Sequence, residues 1–346
     1  VPFEDLPVSG FGDVLPRYFR LRRLYVRLVK ALKSPDCVGL IAIDYPGFNM
    51  RLNALAKRLQ KRVLYVAPPQ VWAWKQRRAK ELRGTDLAVL FEFERAAYKT
   101  LACQATLLRH PFLPDAEFMP AGETSALPST LLLPGSRKSQ ALRNLRLYLN
   151  VARQIHDAQI HDAQMYDAQI HDALQTNFVV VAARASLIPV FEKNMAQFFA
   201  GKIPEWICVK LAPQNIAKRR DFYASANAAL ASPGTVTLEL ALSGCPLVVA
   251  TIPDVLTYIM GNLFVKTKIF AMPNILLKNN TSKETCPQKA CEEYVCTPWA
   301  WRNQIDEIQK ALQTANKNSA RQVAESLTQI LSAGESAESL VQSFIA

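Results

Sequence analysis

One stretch, Ala228–Ala250, constrains the fold of this chain more than any other, because its pattern matches a single kind of unit. Small residues in Ala228–Ala231 predict a short strand, and a turn containing Gly234 leads into a predicted helix over Thr235–Ser243. Pro246–Ala250 is entirely apolar, as in a parallel strand that is covered on both faces. The stretch therefore predicts a βαβ unit, and strand–helix alternation elsewhere in the chain extends this to an α/β protein with parallel sheets.

The same turn is suited to binding a phosphorylated sugar. A helix that starts after a glycine turn, here at Gly234 and Thr235, offers backbone N–H groups and the positive end of its dipole to a phosphate. Glu239, one turn into the helix, is placed to accept hydrogen bonds from sugar hydroxyls. The alternative is an ordinary βαβ unit with a surface glutamate, since short glycine turns are common.

Length, charge and cysteine content narrow the classes of function. The 346 residues suffice for two domains, and no apolar run reaches the ~18 residues of a membrane-spanning helix. A net charge of +12 favours anionic partners, and because no nucleic-acid-binding module is recognisable we expect lipid or phosphate instead of nucleic acid. The seven cysteines show no tight metal-binding pairs, so no metal site is expected, and their odd number without a secretory signal indicates a reducing compartment.

Asp44 directly follows a predicted buried strand, Val38–Ile43. In an open α/β sheet, ligands bind at the carboxyl ends of the strands, so this carboxylate is placed for chemistry. The alternative role, which position alone favours, is to cap the predicted helix Met50–Lys61.

A basic amphipathic helix is predicted near the start of the chain, over Phe11–Leu32 after Pro16. Leucines recur at helical spacing with arginines between them, a pattern typical of helices that lie on anionic membranes. The candidate insertion residues are Phe11, Val14, Leu15 and Phe19. The alternative is a solvated basic helix whose long arginine stems cover the apolar surface of a sheet.

The second half of the chain opens after Leu113–Ser129, a segment rich in Pro, Gly, Ala and Ser that we interpret as a linker. The predicted strand Thr130–Pro134 is followed by Gly135, Ser136 and Arg137 ahead of a helix. An arginine can take a diphosphate through its bidentate fork, which predicts a phosphate site here. The alternative, a plain basic helix start, is disfavoured by the positive end of the helix dipole.

Residues His156–Leu174 form a tandem repeat of five residues. Five residues turn an α-helix by about 500°, so His156, His161 and His171 wind around a helix instead of sharing a face. We therefore expect a tolerated expansion within a surface helix and no three-histidine metal site.

Asn274 follows Pro273 in the segment Met272–Leu277. Its amide can donate and accept hydrogen bonds at once, which suits a polar ligand. The alternative, which position alone favours, is a turn residue after the proline.

Several segments occur in the order seen in the lipid-A-disaccharide synthase family, which the chain resembles over nearly its whole length. They are Ile43–Asn49 (IDYPGFN), Tyr65–Arg78 (YVAPPQVWAWKQRR), Leu132–Arg137 (LLPGSR), Ala231–Leu242 (ASPGTVTLELAL) and Met272–Leu277 (MPNILL). The resemblance implies a GT-B-like α/β fold, with two Rossmann-like parallel-sheet domains facing a cleft and the first of them incomplete at its N-terminus. We expect an acceptor and membrane-side domain at 1–122, a UDP-sugar-binding domain at 123–318, and a C-terminal helix at 319–346 that packs back across the domains.

The resemblance also implies an activity: inverting transfer from UDP-2,3-diacylglucosamine to 2,3-diacylglucosamine 1-phosphate, giving the lipid A disaccharide 1-phosphate and UDP. Asp44 matches the family's essential aspartate and is the candidate general base for the acceptor 6-hydroxyl. Arg137 would neutralise the departing UDP, with no metal or other cofactor required. The residues expected to hold the donor are Ser136, Gly234, Thr235, Glu239 and Asn274. Phe11–Leu32 corresponds to the family's membrane-contacting part, which implies a cytoplasmic protein peripheral to the inner membrane.

Two other hypotheses stay open at this point. One is a degenerate, non-catalytic relative that binds anionic lipid or nucleotide-sugar, since Gly47 replaces an acidic residue of the family pattern and Lys278–Thr297 replaces a segment of the donor site. The other is a different GT-B enzyme, such as a UDP-N-acetylglucosamine transferase or epimerase, against which the tryptophans of Tyr65–Arg78 argue.

Overall fold

The computed structural model describes residues 14–71, 80–100, 103–113, 129–165, 177–264, 269–280 and 287–346. The chain divides into two compact units, and each has its own parallel sheet. The first unit is Val1–Asp115 together with Gln329–Ala346, and the second unit is Ala116–Thr328. The two parallel sheets confirm the predicted α/β class.

The first unit is built on a parallel sheet whose described strands follow the order β1-β2-β3-β4. Tyr65, Leu87, Val89 and Tyr98 are almost completely buried in its core. Parallel strands need crossover connections, which the helices supply. The elements are α1 (Val14–Leu32), β1 (Gly39–Ile43), α2 (Pro46–Arg58), β2 (Arg62–Val66), β3 (Asp86–Val89), α3 (Glu92–Thr100) and β4 (Ala105–Leu107).

Strand β1 is more exposed than the sequence predicts. Ile41 is 41% and Ile43 is 64% exposed, and both lie on the same face of the strand. Ala42 lies on the opposite face and is buried. Helix α2 also begins earlier than predicted, at Pro46. Proline is favoured at the first helical position, where its missing N–H would have no intrahelical partner.

The second unit is built on a six-stranded parallel sheet in the order β10-β9-β8-β5-β6-β7. Apolar clusters pack against both faces, which explains the continuous apolar runs of its central strands. The elements are β5 (Ser129–Leu133), α4 (Lys138–Met165), β6 (Asn177–Ala182), α5 (Ile188–Phe198), β7 (Ile207–Leu211), α6 (Ile216–Ala224), β8 (Ala228–Ala231), α7 (Thr235–Leu242), β9 (Leu247–Thr251), α8 (Val255–Phe264), α9 (Met272–Asn279), β10 (Glu292–Val295) and α10 (Ile305–Thr314).

The C-terminal segment, predicted as one helix, forms two: α11 (Lys317–Ser332) and α12 (Ala337–Ile345). Backbone hydrogen bonds hold the turn between them beside β4, from Arg109 N–H to the Glu335 carbonyl at 2.8 Å and from Glu335 N–H to the Leu107 carbonyl at 2.9 Å. None of the helices described combines the length and apolar character needed to cross a bilayer.

The strand order of the second unit contains a topological switch between β5 and β8. From β5 the chain proceeds through β6 and β7 on one side of the sheet, and from β8 through β9 and β10 on the other. The loops that follow β5 and β8 therefore diverge and leave a crevice at the carboxyl ends of these strands, which is the usual place for a ligand in an open α/β sheet.

Candidate functional site

A pocket of about 530 Å³ lies at this switch point, within the range of small-molecule sites. It is formed by the loops that follow β5, β7 and β8 and by the first turns of α7. Five of the residues predicted to contact substrate line it together: Ser136, Arg137, Gly234, Thr235 and Glu239. The structure therefore brings two separately predicted phosphate motifs into one site.

The loop after β5 is shaped by its contact with the loop after β8. Gly135 has φ +120°, and a Cβ atom there would lie 3.0 Å from the Ser232 Oγ. Only glycine tolerates both this left-handed backbone and this close approach. The buried side chain of Asn144, on α4, anchors the loop. Its Nδ2 donates to the Pro134 carbonyl over 2.9 Å, and its Oδ1 accepts from the Ile252 N–H over 2.9 Å.

The loop after β5 contains one arginine, Arg137, and is contacted by a second, Arg184. Arg137 is exposed at the pocket wall, where its guanidinium is available to an anion. Arg184, which follows β6, donates from Nη2 to the Ser136 carbonyl, and its buried Nε has no hydrogen-bond partner in the structure. Sequence reasoning missed Arg184, because it carries no motif and reaches the loop from a neighbouring strand.

The loop after β8 leads directly into α7. Gly234 is the N-cap residue with φ +151°, and no side chain caps the helix. Its carbonyl accepts from Thr237 N–H at 3.1 Å and from Thr237 Oγ1 at 2.8 Å, which closes the first turn. The first N–H groups of a helix have no intrahelical acceptor, so this turn presents donors to the pocket.

Glu239 is paired with Arg219, a residue that sequence reasoning also missed. Arg219 lies on α6 and donates from Nε to Glu239 Oε2 over 2.6 Å. Both side chains also line the pocket. Burial, reinforced by the negative charge of Glu239, raises the pKa of the neighbouring Tyr223.

Asp44 lies in the first unit, exposed at the carboxyl end of β1. It does not cap α2, so that alternative role is wrong: the N-cap residue is Tyr45, and no side chain makes a capping hydrogen bond. Asp44 and Tyr45 both have φ +46°, the left-handed region that non-glycine residues rarely adopt.

Asn274 is not part of the pocket lining and is 4% exposed. It lies in the first turn of α9, not in the turn that position alone favoured. Its Nδ2 donates to the Cys291 carbonyl at 2.8 Å and to Glu293, and its Oδ1 accepts from Ala290 N–H at 2.6 Å. These bonds use the capacity of the amide to fasten α9 to the segment before β10. A contact between Asn274 and a donor stays a prediction.

The predicted membrane residues are only partly described. Phe11 lies outside the described residues, and the side chains of Val14 and Leu15 lie outside them as well. Phe19 is 53% exposed on α1. The tryptophan segment at 72–79 lies outside the described residues.

The five-residue repeat begins inside α4, where His156 packs against another aromatic ring. Its ring stacks on Trp206 with 4.2 Å between ring centroids, whereas His161 is exposed. In the part of the chain that the structure describes, no three His, Cys, Asp or Glu side chains cluster as metal ligands.

Comparisons with known proteins give the family and the fold. The sequence model described as lipid-A-disaccharide synthetase matches residues 1–342. A lipid-A-disaccharide synthase of Trichlorobacter lovleyi is 28% identical over 332 residues, covering 92% of this chain and 78% of the relative. The lipid-A-disaccharide synthase of Nitrosococcus oceani is 31% identical over 306 residues, covering 84% of this chain and 71% of the relative.

Among solved structures, Arabidopsis thaliana UGT89C1 complexed with UDP superimposes with a TM-score of 0.57 at 12% identity, covering 100% of this chain and 83% of that one. The S. aureus MnaA–UDP structure superimposes with a TM-score of 0.53 at 8% identity, covering 92% of this chain and 77% of that one. At such low identity these structures show the fold alone, which is the GT-B fold predicted from the sequence. With a family match over almost its whole length, the chain belongs to the lipid-A-disaccharide synthetase family.

Proposed function

We propose that this protein is the glycosyltransferase that joins UDP-2,3-diacylglucosamine to 2,3-diacylglucosamine 1-phosphate, releasing UDP and the β-1,6-linked lipid A disaccharide 1-phosphate. Membership of the lipid-A-disaccharide synthetase family and the GT-B fold favour an enzyme over a non-catalytic binding protein. The observation that carries the proposal is the pocket at the β5–β8 switch, where a cation, a helix N-terminus and a carboxylate converge.

The pocket suits the UDP part of the donor. Arg137 supplies a planar fork for phosphate oxygens, and the first turn of α7 at Gly234 and Thr235 supplies N–H donors and a positive dipole end. Glu239, the one acidic residue among the described residues that line the pocket, supplies an acceptor for ribose hydroxyls. Two proteins of the same fold were solved with UDP, which supports a nucleotide-sugar as the ligand class.

The chemistry needs a base and a stabilised leaving group. In the proposed step the Asp44 carboxylate removes the proton of the acceptor 6-hydroxyl, and the oxygen attacks the anomeric carbon of the donor sugar from the face opposite UDP. The bond from that carbon to the diphosphate oxygen breaks, and UDP leaves with the electron pair. One displacement with a carboxylate base gives inversion. Arg137 stabilises the charge that develops on the diphosphate.

The acyl chains of both substrates place this reaction at a membrane surface. Helix α1 is rich in arginine and carries exposed apolar side chains, with Phe19 at 53% and Val26 at 59% exposure. Such a helix suits an anionic bilayer surface, which a net charge of +12 also favours. We propose that the protein acts as a peripheral protein at the cytoplasmic face of the inner membrane.

The test is a disaccharide assay on the wild type and on Asp44→Asn, with UDP binding measured by calorimetry. The wild type is expected to form disaccharide and UDP in equal amounts. Asp44→Asn is expected to lose about 10²–10⁴-fold in kcat while UDP affinity stays unchanged, because general-base catalysis contributes that much. Asp36→Asn, another exposed aspartate of the first unit, is the matched control. UDP binding without product in the wild type would overturn the proposed function, whereas an unchanged Asp44→Asn would remove only Asp44 from it.

A further inference from the structure

The backbone at the candidate base is held in an unfavourable shape. Asp44 and Tyr45 are consecutive and both have φ +46°. Aspartate enters the left-handed region more readily than most residues, but a bulky tyrosine there is an outlier. Two such residues in succession persist only when the surrounding structure determines them, and strain of this kind concentrates at functional sites.

A small set of hydrogen bonds holds this segment. The Asp44 N–H donates to the Val66 carbonyl at 2.9 Å, in continuation of the β1–β2 ladder. Asn49 Nδ2 donates to the carbonyls of Ile43 at 2.9 Å and Asp44 at 2.8 Å, so one amide bridges two successive peptide units.

The Asp44 carbonyl receives a second side-chain donor. The Tyr65 hydroxyl, on β2, reaches it over 3.0 Å, and the tyrosine side chain is completely buried. Both donors therefore act on the peptide that links Asp44 to Tyr45, which is the peptide whose orientation the left-handed φ values determine. We call Asn49 and Tyr65 the carbonyl clamp.

We propose that the carbonyl clamp positions the Asp44 carboxylate for proton abstraction, with Asn49 and Tyr65 acting as positioning residues through the Asp44 backbone. The inference rests on the proposed role of Asp44 as the base. Both clamp residues donate to the Asp44 carbonyl, and Asp44 itself is exposed, so its carboxylate is accessible to an acceptor. Without the clamp the peptide relaxes toward the extended or right-handed regions, and the carboxylate turns away from its working position. A displacement of about 1 Å is enough to lower a rate 100-fold.

The chain offers a matched control for a merely structural role. Asn53 lies one turn further along α2, is completely buried, and accepts from Thr85 Oγ1 at 3.0 Å, but it makes no bond to Asp44. Asn49→Ala and Asn53→Ala therefore both delete an asparagine amide of the same helix. Only the first removes a residue of the clamp.

The experiment measures kcat, the KM for acceptor, UDP affinity and urea unfolding for Asn49→Ala, Tyr65→Phe and Asn53→Ala. Asn49→Ala is expected to lower kcat by about 10- to 100-fold with UDP affinity unchanged, since two hydrogen bonds are lost. Tyr65→Phe, which removes one hydroxyl only, is expected to lower kcat by about 3- to 10-fold and to fold even if Asn49→Ala does not. Asn53→Ala is expected to unfold at lower urea but to keep the kcat of the wild type.

A second substitution that restores kcat would separate positioning of Asp44 from a general effect on stability. Tyr45→Gly removes the penalty for the left-handed backbone, so it should reduce the kcat loss caused by Asn49→Ala, each measured against Tyr45→Gly alone. Unchanged kcat in both clamp variants, or equal losses in Asn49→Ala and Asn53→Ala with no rescue, would overturn the clamp. A wild type that forms no disaccharide would instead overturn the proposed function on which the clamp rests.

Discussion

The guanidinium of Arg219 holds the carboxylate of Glu239 by two nitrogens, with Nε 2.6 Å from Oε2 and Nη2 3.4 Å from Oε1. Its remaining nitrogen, Nη1, donates to the Pro213 carbonyl at 3.0 Å. Arg219 thus ties α7 to the loop after β7, and only about one-fifth of each side chain in the pair is exposed, 20% and 21%. The pair fixes the orientation of the carboxylate that we assign to the ribose.

Arg219→Ala is therefore expected to weaken UDP binding by about tenfold. Hydrogen bonds to charged groups contribute roughly 1.5–3 kcal/mol, and a loss near the lower figure corresponds to a tenfold change in affinity. Isothermal calorimetry with UDP measures it. The control is Lys218→Ala, which removes an exposed cation from the same helix and should change the affinity by less than twofold. Equal losses in the two variants would mean that charge alone matters and that the pair does not orient Glu239.

Arg137→Ala is expected to act on the rate instead. Removing a preorganised donor to developing charge lowers kcat by about 10²–10³-fold. Arg137→Lys should recover only part of the rate, because an ammonium lacks the planar fork of the guanidinium. Steady-state release of UDP gives both values, and Lys138→Ala, at the next exposed cation, serves as the control. A variant with raised KM and intact kcat would contradict a role in the departure of UDP.

The sequence predicts the second unit best where the structure is determined locally. The strand Ala228–Ala231, the helix from Thr235 and the following apolar strand are confirmed, because turn chemistry and burial pattern lie within one short stretch. By contrast, β10 escapes prediction. It is a polar strand at the sheet edge, with Glu293 accepting from the Ala271 N–H at 3.0 Å, and an edge position needs few apolar residues.

Side chains that reach across the fold are the part of the site that no local pattern shows. Arg219, on α6, lines the pocket, and Arg184, in the loop after β6, donates to the carbonyl of the lining residue Ser136; the sheet order brings both arginines to these positions. The left-handed backbone at Asp44 is equally hidden, because no glycine marks it and the donors that hold it lie on α2 and β2. Sequence spacing locates the carboxylate but not the contacts that orient it.

His110 makes the stability of the first unit sensitive to acid. Its ring is 4% exposed, packs against Phe91 and Phe112, and accepts from the Phe112 N–H at Nδ1 over 3.2 Å. Burial lowers the pKa of His110 to about 4, against an ordinary value near 6.5. Between these two pKa values, His110 is protonated in the unfolded chain and neutral in the folded chain. The neutral, buried His110 therefore contributes fully to the free energy of unfolding above pH 6.5, and this contribution is lost as the pH falls toward 4.

Urea unfolding between pH 7.5 and pH 4.5 tests this prediction on the wild type and on His110→Asn, whose amide oxygen can replace Nδ1 as the acceptor. A shift of this size corresponds to about 3 kcal/mol over the full range, so the wild type should lose more unfolding free energy on acidification than the variant. His161→Asn removes an exposed imidazole and should follow the wild type. Parallel curves for the wild type and His110→Asn would contradict the assignment.

The histidine repeat is uniform in sequence but not in structure, and the last prediction follows from that difference. Because five residues turn a helix by about 500°, successive units of the repeat face directions that differ by about 140°. His156 consequently faces the body of the second unit, where it stacks on Trp206 at 4.2 Å and 22° between ring planes, while His161 is exposed. Trp206 in turn meets Phe178 and Phe199 edge-on, so the stack closes an aromatic cluster.

His156→Ala should therefore lower the unfolding free energy by about 1 kcal/mol, the usual worth of an aromatic pair, whereas His161→Ala should change it by less than about 0.5 kcal/mol. Urea denaturation followed by tryptophan fluorescence measures both, and loss of the stack should also alter the emission of the folded His156→Ala protein. Equal effects would mean that the units of the repeat are interchangeable, as in a simple expansion. Unequal effects would show that the first histidine of the repeat belongs to the packed fold and that the second does not.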